Sequence, residues 1–244
     1  MLEDIVEKAS TNVVRVEVNI DGNWGTGTGL ILDDEGTILT CEHVICPNGI
    51  TPKAINIVRD REIPYAARLI GSDRNHDLAI IKCSSFSRSE RIKNLDYDKI
   101  KIGQECFVLG YPIGLSHLTF AKSTISAKGF GLVNSFLFET IQIDARINKG
   151  NSGGPLFAND GSVIGIVTMK YVPFFHQISE LISYVNSIPA ISMNFKFPGS
   201  EFSLTEFIYT VNEGLRRLSN AIEIVQVGIG WVIPIHFASS IIQK

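Results

Sequence analysis

The chain has 244 residues, 45% hydrophobic and 19% charged, with a formal net charge of −3; that length is enough for two small buried cores. The weak negative balance argues against a nucleic-acid partner. Cys41, Cys46, Cys83 and Cys106 form no regular framework, and Met1-Leu2-Glu3-Asp4-Ile5 lacks the basic-then-apolar order of a leader, so a reducing, cytoplasmic location is expected.

In chain order, residues 1–11 read as a short N-terminal helix, and short alternating runs between turn residues then predict barrel-type β structure. Val14, Val16, Val18 and Ile20 share one strand face, which Asp21-Gly22-Asn23 ends. Thr37–Thr40, Ile55–Arg59, Tyr65–Ile70 and Asp77–Lys82 complete a first lobe over 12–83. The polar stretch 84–100 reads as a linker. Glu105–Leu109, Leu118–Ile125, Ser135–Ile143, Pro155–Phe157, Val163–Thr168 and Val225–Val232 give a second lobe over 101–236, followed by a tail, 237–244.

Residues 171–224 interrupt the β pattern. Ser203-Leu204-Thr205-Glu206 is a capping box, so a helix should start there. Leu204, Phe207, Ile208, Val211, Leu215, Leu218 and Ile222 then recur at helical spacing as one apolar stripe. Ile178, Leu181, Ile182 and Val185 predict a shorter helix ended by Pro189, and a turn is expected around Pro198, Gly199 and Ser200. Acidic residues outnumber basic ones in this insertion, which argues against an anionic membrane surface as its partner.

Gly150-Asn151-Ser152-Gly153-Gly154-Pro155 carries the chemistry. A serine hydroxyl is a weak nucleophile at neutral pH and needs an adjacent base and donors for the negative oxygen formed on attack. Without side chains at 150 and 153 the backbone can turn sharply and aim amides of the Gly150, Asn151 and Ser152 segment, those of 150 and 152 above all, at one point. A base and an acid stand upstream, His43 after an apolar strand and Asp77 at the start of another. The order His, Asp, Ser is that of chymotrypsin-type proteases.

Competing readings are weaker. A lipase-type nucleophile elbow would need an acid and a histidine downstream, such as Asp160 with His176 or His236, and a helix after the serine, where Pro155 and a strand follow. A glycine-rich turn without chemistry leaves the ordered His43 and Asp77 unexplained. His76 is a rival base, but neighbours on an extended strand face opposite ways. Cys41, His43 and Cys46 have zinc-like spacing without a second cluster.

Four segments resemble the HtrA/DegP family of trypsin-like proteases: Gly25-Thr26-Gly27-Thr28-Gly29-Leu30-Ile31, Thr37 through Val44, Ile147 through Leu156, and Val227 through Pro234. The resemblance implies an all-β, chymotrypsin/trypsin-like double β-barrel, here with a short N-terminal helix and a helical insertion in the second barrel. It implies a serine endopeptidase with catalytic His43, Asp77 and Ser152, protein or peptide substrates, and no metal or organic cofactor. By the same resemblance Arg146, six before the serine, would lie at the base of the P1 pocket, and Thr168, Met169 and Lys170 on the strand that pairs with substrate. Arg146 departs from the small residue usual in the family, Lys149 from its proline, and the insertion from a short loop. No PDZ domain fits in the ten residues after Pro234. The insertion is therefore expected to gate the site, with an activating protein partner and homo-oligomerisation as open options; a catalytically idle scaffold that binds extended peptides is the alternative.

Overall fold

Six strands close a first barrel: β1 (Val13–Ile20), β2 (Asn23–Ile31), β3 (Thr37–Thr40), β4 (Ala54–Val58), β5 (Tyr65–Asp73) and β6 (Leu78–Lys82), in the order β1-β2-β3-β6-β5-β4. A second comprises β7 (Glu105–Gly110), β8 (Thr119–Val133), β9 (Phe136–Ile143), β10 (Pro155–Ala158), β11 (Val163–Lys170) and β14 (Gly230–Pro234). The structure, a computed structural model, describes residues 1–59, 63–88, 92–133, 136–145, 147–170, 181, 183–184, 194–197, 200–224 and 228–242. Met1–Lys170 with Gly228–Lys244 form one unit and Tyr171–Val227 another.

The strand sequences explain why two barrels adhere. Side chains alternate across a strand, so a run such as Leu78-Ala79-Ile80-Ile81 is apolar throughout only where both faces are buried. Ala79 and Ile81 fill the first barrel with Val14, Val16, Val18, Ile31, Ile38 and Ile57. Leu78 and Ile80 face the other way, into a seam with Leu39, Phe107, Leu109, Phe157 and Ile233. The second barrel repeats this rule: Cys106 and Val108 point inward with Ile141, Leu156 and Val232, whereas Phe107 and Leu109 join the seam. The N-terminal helix α1 (Leu2–Ser10) lays Leu2, Ile5 and Val6 against the same seam.

Several elements differ from the sequence reading: β14 is Gly230–Pro234 where Val225–Val232 was expected, and Ser239–Ile242 of the expected tail is helical. β5 continues to Asp73, and β8 runs well past Ile125 to Val133, where it and β9 form an arm with Phe130 and Leu132 exposed. Alternation locates a strand but does not say where pairing outlasts the barrel wall.

In the second unit, Leu204–Ile224 is a helix, α3, and the Glu206 amide donates to Ser203 Oγ at 3.3 Å, one half of the expected capping box. Phe207 and Val211 of its apolar stripe are exposed. Where a turn was expected at Pro198-Gly199-Ser200, the flanking residues pair as a hairpin of β12 (Asn194–Phe197) and β13 (Ser200–Ser203). The shorter helix read from Ile178 to Val185 lies mostly outside the described residues.

Candidate active site

β3 delivers His43 onto a single helical turn, α2 (Glu42–Ile45), while the β5–β6 turn delivers Asp77. Asp77 has a left-handed backbone, φ 52°, which aspartate tolerates better than most side chains. The Asp77 carbonyl accepts the Glu42 amide at 3.1 Å and tethers α2 to the turn. The Asp77 carboxylate, fully buried, accepts three hydrogen bonds: the His43 amide at 2.9 Å, His43 Nδ1 at 2.7 Å, and Thr168 Oγ1. A proton on Nδ1 is what a carboxylate partner demands, so His43 Nε2 is left as the accepting nitrogen. The imidazole keeps 38% of its surface accessible, enough to meet a substrate.

Ser152 comes from the second barrel. Its hydroxyl donates to the Thr168 carbonyl at 2.7 Å instead of to the imidazole. Thr168 therefore touches both halves, its Oγ1 on Asp77 and its carbonyl on Ser152.

The loop before Ser152 is held by its carbonyls. In a trans peptide the C=O and the following N–H point in opposite directions. The Lys149 carbonyl accepts the Ile113 amide at 2.6 Å, which turns the Gly150 N–H the other way; the Asn151 carbonyl accepts the Gly154 amide at 2.9 Å, which does the same for Ser152. Neither the Gly150 nor the Ser152 amide has an acceptor among the described residues. The Asn151 amide is different: it donates to the Asn148 carbonyl at 3.0 Å, so only two of the three residues named from sequence keep amides without an acceptor among the described residues. Glycine is required at 150 and 153. Their φ values are 98° and 86°, and a Cβ would lie 2.3 Å from the Tyr111 carbonyl or 2.0 Å from the Thr28 carbonyl.

The remaining candidates separate clearly. His76 Nδ1 is bound to Asp73 at 2.7 Å and its ring packs on Phe138 and Phe237, so it is no base for Ser152. Arg146 lies outside the described residues. Met169 and Lys170 pair with Trp231 and Gly230 of β14, whereas β10 stops pairing with β11 at Ile166, leaving one edge of 168–170 without a described strand. Sequence reasoning missed Thr28, whose contacts arise where the two barrels meet, and Ile113, whose amide reaches the Lys149 carbonyl within the second barrel.

The metal alternative changes membership. Cys41 and His43 converge with Asp77, within 4.8 Å, without Cys46 among them. Asp77 already accepts three donors, and the Cys41 thiol donates to the Val167 carbonyl at 3.3 Å. Burial, reinforced by the Asp77 charge, raises the Cys41 pKa well above the ordinary thiol value, which disfavours the thiolate a metal needs. These residues do not fit a zinc site.

Residues 27–166 match the family model described as a trypsin-like peptidase domain. Curated relatives from Marinomonas sp. (strain MWYL1) and Hahella chejuensis (strain KCTC 2396), both named "Probable periplasmic serine endoprotease DegP-like", are each 37% identical, over 59% and 60% of this chain. The chain spans 30% of the length of either. Among solved structures, an HtrA-type protease, AlgW, with tripeptide superimposes with a TM-score of 0.68 at 24% identity, and a serine endoprotease from Yersinia pestis with 0.65 at 24%. Each match covers all of this chain, and 62% and 66% of those chains respectively. At that identity the likeness speaks to the double-barrel fold. The periplasmic relatives overturn the cytoplasmic expectation. Its compositional basis fails for a physical reason: Cys41, Cys83 and Cys106 are buried, so thiols need not pair to persist in an oxidising compartment.

Proposed function

The chain belongs to the trypsin-like peptidase domain family, and from that premise we propose that it is a serine endopeptidase with His43, Asp77 and Ser152 as its catalytic groups. On binding, a peptide carbonyl enters beside Ser152, whose hydroxyl leaves the Thr168 carbonyl and donates to His43 Nε2. Oγ attacks the carbonyl carbon as His43 takes the proton; Asp77 stabilises the imidazolium, and the Gly150 and Ser152 amides bind the oxyanion. His43 returns the proton to the leaving amine, and water then hydrolyses the acyl-enzyme by the same route. No step calls for a metal or organic cofactor.

The observation that most supports this reading is a pair of amides without acceptors among the described residues beside a serine that Thr168 links to a histidine oriented by a buried carboxylate. Substrate would pair along Thr168, Met169 and Lys170, whose one edge lacks a described neighbour. Arg146 would favour acidic P1 side chains through charge-assisted hydrogen bonds. A P1 preference for Asp or Glu that disappears in Arg146→Ala supports that role, and no acidic preference removes it.

The insertion at 171–224 would govern access. It forms a unit of its own that leaves the chain directly after Lys170, and an activating protein partner would act by favouring its open form. Replacing residues 172–224 with a short Gly-containing loop should raise hydrolysis of a small peptide ester. A folded deletion variant with unchanged or lower activity would show that the insertion is no gate.

One observation favours the idle peptide-binding scaffold: Ser152 is bonded to Thr168, not to the base. A fluorophosphonate separates the readings, because it labels an activated serine and leaves an idle one unmodified.

A further inference from the structure

Thr28 has no role in the reaction as described, yet it is completely buried where the two barrels meet. It sits on β2 of the first barrel, and its described hydrogen bonds to the second are all with backbone. Its Oγ1 donates to the Gly150 carbonyl at 2.7 Å and accepts the Tyr111 amide at 3.0 Å. Its own amide donates to the Ser152 carbonyl at 2.8 Å. Thr40 Oγ1 in turn donates to the Thr28 carbonyl at 2.7 Å, which fixes Thr28 from within its own barrel.

Tyr111 leads into the turn Pro112–Gly114, where Ile113 has φ 57° and ψ 29°. A β-branched residue in the left-handed region is a conformational outlier. Burial of its side chain does not explain this, because Ile113 is 70% exposed. What the conformation provides is an amide, aimed at the Lys149 carbonyl at 2.6 Å.

We propose that Thr28 and Ile113 are positioning residues that hold the nucleophile loop in its oxyanion-binding form, Ile113 from within the second barrel and Thr28 from the first. The mechanism is geometric. Ile113 fixes the 149–150 peptide plane and Thr28 Oγ1 the next one, 150–151; with both carbonyls drawn away, the Gly150 N–H faces the site. Without Thr28 Oγ1 a buried carbonyl and a buried amide each lose a partner, and rotating the 150–151 plane is the least costly way to recover one. The 150–151 plane shares the Gly150 Cα with the 149–150 plane, so its rotation changes the backbone at Gly150 and pulls the neighbouring plane, with the Gly150 N–H it carries, off its line.

This inference rests on the peptidase reading, and its test keeps the two apart. Thr28→Val removes the hydroxyl at nearly constant shape, and Thr28→Ser keeps it. With a peptide ester, kcat of Thr28→Val should fall about 10- to 100-fold, less than the loss of a whole oxyanion donor, with KM changed less than about twofold. Binding of a peptide aldehyde, whose adduct carries an oxyanion, should weaken in parallel, and Thr28→Ser should recover most of both. Ile113→Gly keeps the amide and relieves the left-handed strain, so it should retain activity, whereas Ile113→Pro removes the amide and, because proline cannot adopt φ 57°, also the turn that aims it, so it should lose kcat as Thr28→Val does. Should Thr28→Val fail to fold, the exposed Ile113 pair decides alone. The Gly150 and Asn151 amide ¹⁵N–¹H resonances read the 149–150 and 150–151 planes, whether or not the protein is active. A marked shift in Thr28→Val and Ile113→Pro, absent in Thr28→Ser and smaller in Ile113→Gly, supports the proposal even in an inert protein. An unmoved Gly150 resonance, or unchanged kcat in an active enzyme, overturns it.

Discussion

The two halves of the candidate site are held by different kinds of bond. Around Asp77 of the first barrel, side chain meets side chain: its buried carboxylate accepts from His43 Nδ1 and, across from the second barrel, Thr168 Oγ1. On the second barrel, backbone carbonyls of Lys149, Gly150, Asn151 and Ser152 are drawn off by donors, and the amides between them are oriented as a result. The first arrangement depends on residue identity. The second depends on peptide-plane direction, which small movements can reverse and many sequences can satisfy. A site built this way has a base–acid pair that is complete at rest and a nucleophile that is not, since Ser152 still rests on Thr168.

Asp77→Asn attacks the first half at its centre. The amide's NH₂ can donate to Nδ1 and so favour the wrong tautomer of His43; kcat should fall about 10⁴-fold with little change in KM. A loss under about tenfold in a peptide-ester assay would mean that Asp77 orients nothing.

Thr168→Val is a gentler cut. It removes one donor from the Asp77 carboxylate while keeping the carbonyl on which Ser152 rests. A hydrogen bond to a charged group contributes about 1.5–3 kcal/mol, so a roughly tenfold lower kcat and a lower melting temperature are expected. If kcat is unchanged, the two halves are not linked through Thr168.

Glu42 gives the smallest effect and the one with a pH signature. Burial and the nearby Asp77 charge raise its carboxyl pKa above the ordinary value, against opposing pulls from Arg74 and His43. A carboxyl with a raised folded-state pKa binds protons better in the folded chain, so its ionisation costs stability as pH rises through the folded pKa. Glu42→Gln should therefore melt about 2 °C higher at pH 7. That gain should vanish near pH 4 and below, where the unfolded chain is also protonated. An equal gain at both pH values would assign it to packing instead of charge.

The same division governs what could be read from sequence. His43, Asp77 and Ser152 were legible because each stands in a local pattern, and the alternation of Val14, Val16 and Val18 located a barrel strand. The capping box at Ser203 likewise marked the start of α3. Its stripe was harder, because periodicity says which residues share a face and not what covers Phe207 and Val211. Thr28 and Ile113 were invisible for a stronger reason. Their partners are backbone atoms of distant residues, which any sequence supplies, and a left-handed isoleucine runs against its own preference. Pro112 and Gly114 mark a turn there, without revealing what its amide binds.

Covalent labelling by a fluorophosphonate, read by intact mass and peptide mapping, tests the central claim most directly. An activated Ser152 predicts one adduct per chain, mapped to the Gly150–Pro155 segment and absent from folded Ser152→Ala and His43→Ala. A folded wild-type protein that stays unlabelled with residues 172–224 replaced by a short loop, as well as with them present, would contradict the account.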